Sequence, residues 1–254
     1  MDSSFPARLD DRDRLVGVWS VIGHPVVADL LGAAGFDFVV LDGEHSENTV
    51  EEIGVSIRAI EATGTDAAPV VRAPENNPAD IRRLLDLGPE GIIVPQIESL
   101  AEARDAVEAT QYPPAGIRGV AGNRASGYGR RLGEYVERAD DQVATIIQIE
   151  TETALDAVEE IAAIDGLDGL FIGPADLSAR LGIFGQFESE QFLDAIERTV
   201  AAAAAAEVPV GTLATTLPSI ERRDDWGVDF MATGTDVGCL RHAAEQYLTR
   251  YREL

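Results

Sequence analysis

Ile146-Ile147-Gln148-Ile149-Glu150 and Leu170-Phe171-Ile172-Gly173-Pro174-Ala175-Asp176 are apolar runs of strand length, each ending in a carboxylate. Between them, Thr153 to Ile164 places Ala154, Val158, Ile161 and Ala162 at helical spacing. Strand, helix, strand is a parallel crossover, which puts Glu150 and Asp176 at the same edge of one sheet. Two carboxylates at neighbouring strand ends suit a hard divalent cation such as Mg²⁺ or Mn²⁺, with waters and substrate oxygens completing its shell. In so acidic a chain, helix caps and solvated edge groups would look the same. The Gly173-Pro174 turn tips the balance, because it opens the next helix with backbone N–H groups aimed at whatever the cation holds, which suits a carboxylate ligand.

The same rhythm extends in both directions. Upstream, strands are expected at Leu15 to Ile22, Phe36 to Leu41, Pro69 to Val71 and Gly91 to Gln96. Downstream they are expected at Val208 to Leu213 and Val228 to Asp236. Helical spacing covers Pro25 to Ala34, Thr49 to Ala62, Pro78 to Leu87, Leu100 to Thr110, Phe187 to Ala206, Leu217 to Trp226 and Leu240 to Tyr251. Residues 1–14 read as a loose arm or short helix, and 240–254 as a terminal helix. Tyr112 to Gly133, rich in Gly, Pro and Arg, is too long for a plain connection and reads as a functional loop beside the active site. Eight strands alternating with helices, without a linker or composition break, predict an α/β fold: one (β/α)₈ barrel, a TIM barrel, over 1–254. A doubly wound open sheet is the alternative.

Composition narrows the chemistry. The chain has 254 residues, 45 acidic and 20 basic, with a net charge of −25, and every basic residue is arginine. Acidic pairs such as Asp10-Asp11, Glu159-Glu160 and Asp224-Asp225 are spread along it, which predicts a solvated anionic surface of the halophilic kind. Nucleic acid and anionic membranes, which need basic patches, are not expected as partners. Without lysine there is no Schiff-base aldolase, pyridoxal phosphate enzyme or Walker A loop. The single cysteine, Cys239, is expected as a small buried apolar residue. No signal peptide or membrane span is apparent, so the expectation is a soluble, cytoplasmic protein.

In a barrel the chemistry lies at the C-terminal strand ends. Read in order these are Trp19 and Ser20; Asp42, Glu44 and His45; Arg72; Pro95 and Gln96; Gln148 and Glu150; Gly173 to Asp176; Leu213 and Ala214; and Thr233 to Asp236. Of three histidines, His24 and His242 are expected at the surface. His45 is close enough in sequence to Asp42 to be oriented and charged by it as an acid/base, although a solvated loop histidine would read alike. Arg72 is either an ordinary ion-pair arginine or, from its strand-end position, a contact for a substrate oxyanion. Gln148 is expected to point inward near the cation, or to be a buried hydrogen-bonded amide.

Trp19-Ser20, Asp42-Gly43-Glu44-His45, Pro69-Val70-Val71-Arg72, Tyr112-Pro113-Pro114-Ala115-Gly116-Ile117-Arg118-Gly119, Gln148-Ile149-Glu150 and Phe171-Ile172-Gly173-Pro174-Ala175-Asp176-Leu177-Ser178 together resemble the class II pyruvate aldolases. These include the 4-hydroxy-2-oxoheptanedioate and 2-keto-3-deoxy sugar acid aldolases, within the phosphoenolpyruvate/pyruvate barrel superfamily. The resemblance runs over nearly the whole chain. It implies that Glu150 and Asp176 hold Mg²⁺, Mn²⁺ or Co²⁺, which pyruvate chelates. It also implies that backbone N–H groups near Pro174-Ala175-Asp176 take the pyruvate carboxylate beside Gln148, that Arg72 stabilises the enolate oxygen, and that His45 with Asp42 is the acid/base. Trp19, Gly173 and Leu213 are carried as further substrate contacts. A hexamer of dimers with swapped terminal helices is implied as well, with Asp86 reaching a neighbouring site. The loop after Gly119 departs from the family pattern and leaves the aldehyde open. Independently, cleaving the C3–C4 bond of a 4-hydroxy-2-oxo acid needs an electron sink, and without lysine a Lewis-acid metal is the sink left. The alternatives are a malyl- or citramalyl-CoA lyase of the same superfamily, and a non-catalytic oxo-acid-binding barrel.

Overall fold

The computed structural model describes residues 4–254. The strands are β1 (Leu15–Ser20), β2 (Phe38–Asp42), β3 (Ala68–Arg72), β4 (Gly91–Val94), β5 (Ala144–Ile149), β6 (Gly169–Ile172), β7 (Val210–Ala214) and β8 (Phe230–Thr235). All neighbours pair parallel in sequence order, and β8 bonds back to β1, so the sheet closes into a barrel. The open-sheet alternative falls with that closure. The first half of the helical layer is α1 (Phe5–Asp10), α2 (Pro25–Gly32), α3 (Val50–Ala62), α4 (Pro78–Leu85), α5 (Leu100–Thr110) and α6 (Leu132–Gln142). It continues with α7 (Glu152–Asp156), α8 (Val158–Ala162), α9 (Pro174–Arg180), α10 (Glu190–Ala205), α11 (Leu217–Asp224) and α12 (Asp236–Arg252).

Two apolar layers follow from strand alternation. Residues facing outward, such as Val39, Val71, Ile92, Ile147 and Ile172, pack under the helices. Residues facing inward, among them Trp19, Phe38, Ile146, Phe171 and Phe230, fill the barrel. At Gly17 a Cβ would stand 2.3 Å from the Phe38 ring, so glycine on β1 is what makes room for that ring. The short helix α1 closes the N-terminal end, with Phe5 and Leu9 buried against this interior.

Three local expectations change. The single helix expected over 153–164 is two, α7 and α8, parted at Ala157, whose φ of −106° and ψ of 14° leave the helical well. An additional helix, α6, follows the 112–133 loop. Cys239 is exposed rather than buried, because α12 stands off the barrel instead of packing on it. Its Leu240, Tyr247 and Tyr251 are 66%, 81% and 78% exposed. Among the described residues no helix is long and apolar enough to cross a membrane.

Candidate active site

Parallel register brings the second and third strand ends together. Asp42 and Arg72 are direct partners across β2 and β3. Arg72 donates from Nε to Asp42 Oδ1 at 2.9 Å and from Nη2 to Oδ2 at 2.6 Å, the two-pronged fit of a planar guanidinium. Its Nη1 lies 2.7 Å from Glu44 Oε2, and its face rests 4.9 Å from the centre of the Trp19 ring. Trp19 Nε1 and the Glu44 and His45 backbone N–H groups also donate to the Asp42 carboxylate. Burial pushes Asp42 up, but the Arg72 hydrogen bonds and charge outweigh it and leave the carboxyl below its ordinary range. Arg72 keeps one uncommitted N–H on each terminal nitrogen, free for a substrate oxygen.

This network overturns the expected Asp42–His45 pairing. Asp42 meets His45 only through the backbone, while both its oxygens are taken by Arg72. The imidazole is 62% exposed, and its Nε2 stands 3.8 Å from Glu44 Oε1. An always-charged fork one strand away outcompetes a ring three residues along the chain. His24 instead caps α2, accepting from the Val26 N–H, and His242 lies exposed on α12 beside Gln246.

On the far side of the mouth, Glu150 is buried at the end of β5. Its Oε1 accepts from the Gln96 N–H at 2.7 Å, and its Oε2 accepts from Gln148 Nε2. Burial, with the charges of Glu44 and Asp176 added, pushes Glu150 up to about 7 despite those two donors. Asp176 sits in the first turn of α9, beyond Gly173 and the buried Pro174. Ala175 lies exposed beside it. A Cβ at Gly173 would stand 2.8 Å from Gln148 Nε2 and 2.9 Å from Glu150 Oε2, so only glycine lets these two groups approach the turn so closely. Gln148 Oε1 is buried and has no partner. Leu213 packs partly buried against the cluster that holds Trp19 and Phe171.

These donors fit a hard divalent cation. They are carboxylate and amide oxygens, one acid is pushed above its usual range by burial and neighbouring carboxylates, and an orphaned carbonyl lies beside it. Among the described residues no group of three or more His, Cys, Asp or Glu side chains surrounds one point. A cation held here by Glu150 and Asp176 would complete its shell with water and substrate oxygens.

Sequence position had marked Glu44 and Gln96 as strand-end residues without giving them a part. The structure makes Gln96 the link, its Nε2 donating to Glu44 Oε1 at 3.1 Å. Asp86 is bound within its own chain by Asn123 and Arg118. Arg124, Ala125, Tyr128 and Arg131 of the 112–133 loop line a cavity with Glu61, Pro69 and Glu90, on the flank near the N-terminal strand ends. Ile117 alone of that loop shares a groove with Gln96 at the mouth.

The family described as HpcH/HpaI aldolase/citrate lyase matches residues 15–243. The chain is 38% identical over 252 residues to a hydroxypyruvate/pyruvate aldolase of Roseovarius nubinhibens, covering 98% of this chain and 97% of that one. It is 37% identical to a 5-keto-4-deoxy-D-glucarate aldolase of Escherichia coli, with 99% and 97% covered. Among solved structures, an HpcH/HpaI aldolase/citrate lyase family protein from Burkholderia cenocepacia superposes with a TM-score of 0.93 at 37% identity, covering 97% of this chain and 98% of that one.

Proposed function

The chain belongs to the HpcH/HpaI aldolase/citrate lyase family and is a carbon–carbon lyase of the aldolase kind, and from that premise we propose that it reversibly cleaves a 4-hydroxy-2-oxo acid to pyruvate and an aldehyde at a site held by Glu150 and Asp176. The observation that carries the site assignment is the close approach of Glu150 and Gln148 to the Gly173 backbone, with Glu150 pushed up by burial and the Gln148 carbonyl unpartnered. Glu150 and Asp176 would hold a Mg²⁺, Mn²⁺ or Co²⁺ there, and such a cation would supply Lewis acidity toward the 2-oxo acid.

The chain's own groups do the rest. Gln148 keeps Glu150 in place through its amide N–H. Backbone N–H groups at the start of α9 face the substrate carboxylate, which the Gly173-Pro174 turn leaves accessible. Arg72 offers its two free N–H groups to the developing enolate oxygen, and Asp42 and Glu44 fix its plane. His45, solvent-facing beside Glu44, moves the proton of the aldol hydroxyl. Trp19 and Leu213 form the apolar wall beneath. The exposed apolar residues of α12 support a swapped-helix hexamer, and the acidic surface supports work in a high-salt cytoplasm.

The test is pyruvate release from a panel of 4-hydroxy-2-oxo acids with Mn²⁺ and with chelator. Exchange of the pyruvate methyl protons in D₂O is followed in parallel. Cleavage undiminished by chelator would remove the metal from the mechanism. Exchange absent with the metal present would leave only a binding barrel.

A further inference from the structure

Gln96, just past β4, is one of four described non-glycine residues with positive φ, at 58°. That left-handed backbone is disfavoured for any residue with a Cβ and persists only where its surroundings hold it. Here it turns the Gln96 N–H onto Glu150 Oε1 at 2.7 Å. The surroundings that hold it are visible. The Gln96 amide is braced at both ends, Nε2 donating to Glu44 Oε1 at 3.1 Å and Oε1 accepting from Arg180 Nη2 at 3.4 Å. Only one orientation of the amide satisfies a carboxylate on one side and a guanidinium on the other. Arg180 belongs to α9, the helix that carries Asp176, and also pairs with Glu98 at 3.4 Å. Gln96 thus ties the loop after β2 to α9 while its peptide grips the acid at the end of β5.

We propose that Gln96 is a positioning residue whose braced, left-handed peptide fixes the Glu150 carboxylate for a divalent cation. This rests on the site reading above. Its strain is kept where Glu150 must be aimed, and the side-chain brace is what keeps it there. The consequence is an unusual order of substitutions. Glycine adopts this φ freely and keeps the N–H, so it replaces the brace by permissiveness. Alanine has neither brace nor permissiveness. A β-branched residue is strongly disfavoured in this conformation.

The experiment is Mn²⁺ binding to the substrate-free full chain by titration calorimetry, for the parent, Gln96→Gly, Gln96→Ala, Gln96→Val and, as reference, Glu150→Ala. Gln96→Gly is expected within about threefold of the parent, Gln96→Ala about fivefold weaker and Gln96→Val at least about tenfold weaker. Thermal melting checks that each is folded. If Gln96→Val fails to fold, the glycine–alanine difference decides. Gly binding no better than Ala, or Val binding like the parent, overturns the inference. Glu150→Ala binding Mn²⁺ as tightly as the parent overturns the site reading instead, so the two failures are told apart.

Discussion

Of the described arginines buried against aromatic rings, Arg72 and Arg118 do opposite things. Arg72, at the mouth, faces two carboxylates and lies over Trp19, and it drags the buried Asp42 below its ordinary range. Arg118 lies under the 112–133 loop, 4.6 Å and 5.6 Å from the Tyr112 and Tyr135 ring centres, with a side-chain exposure of 0%. Its nearest carboxylate, Asp86, is 3.6 Å away, and its Nε and Nη1 have no partner. Burial wins at Asp86, which stays above its usual range in spite of the guanidinium. The lesson is that burial of an arginine says little by itself. Matched geometry with its carboxylates makes a rigid charged platform, while a cation held mainly by ring faces serves as packing.

Arg72→Met would break that contrast at its strong end. It leaves Asp42 and Glu44 buried without a cation, so an unfolding loss of about 3 kcal/mol is expected in urea titrations. A fall in kcat/KM of about a thousandfold should accompany it as the enolate contact goes. His45→Ala comes next. About a hundredfold loss of kcat in aldol cleavage is expected, with pyruvate affinity within about threefold, read from steady-state kinetics and pyruvate titration. An equal loss in both would return His45 to the role of a solvated loop residue.

A half-buried carboxyl far from the mouth sharpens the electrostatic side. Asp168 accepts the Thr145 N–H at 2.7 Å, and burial, with Asp10 and Asp140 nearby, raises it from 3.8 to about 7. A raised carboxyl favours the fold while protonated. Its contribution is complete below about pH 4 and is lost as pH climbs through about 7. Asp168→Asn, which keeps an acceptor and never ionises, should therefore gain about 4 kcal/mol on the parent between pH 4 and pH 7 in chelator. A parallel pair of stability curves would refute the shift. The smallest effect is expected from Arg118→Met, within about 1 kcal/mol of the parent in either direction, with kcat unchanged. A loss as large as that of Arg72→Met would erase the contrast between the two arginines.

The eight strands could be read because each is a continuous run of β-branched or apolar residues, the signature of a sheet covered on both faces. Glu150, Asp176 and Arg72 were equally readable from their places at strand ends. α6 was not, since Leu132–Gln142 buries only Tyr135 and Ala139 and presents charge nearly all round. The break at Ala157 was hidden because residues 154, 158 and 161 satisfy one helical period on either side of it. The Asp42–Arg72 pairing was missed for a more general reason. Nearness along the chain suggested His45, whereas β-register, which no local pattern reveals, set the true partner thirty residues away.

Cys239, exposed on α12, is the sole thiol of a chain without lysine amines. A maleimide dye or spin label therefore has one side chain to react with, and it lands on the helix that leaves the barrel. Its mobility and shielding would report, in an otherwise native enzyme, what that helix touches as concentration and salt are changed.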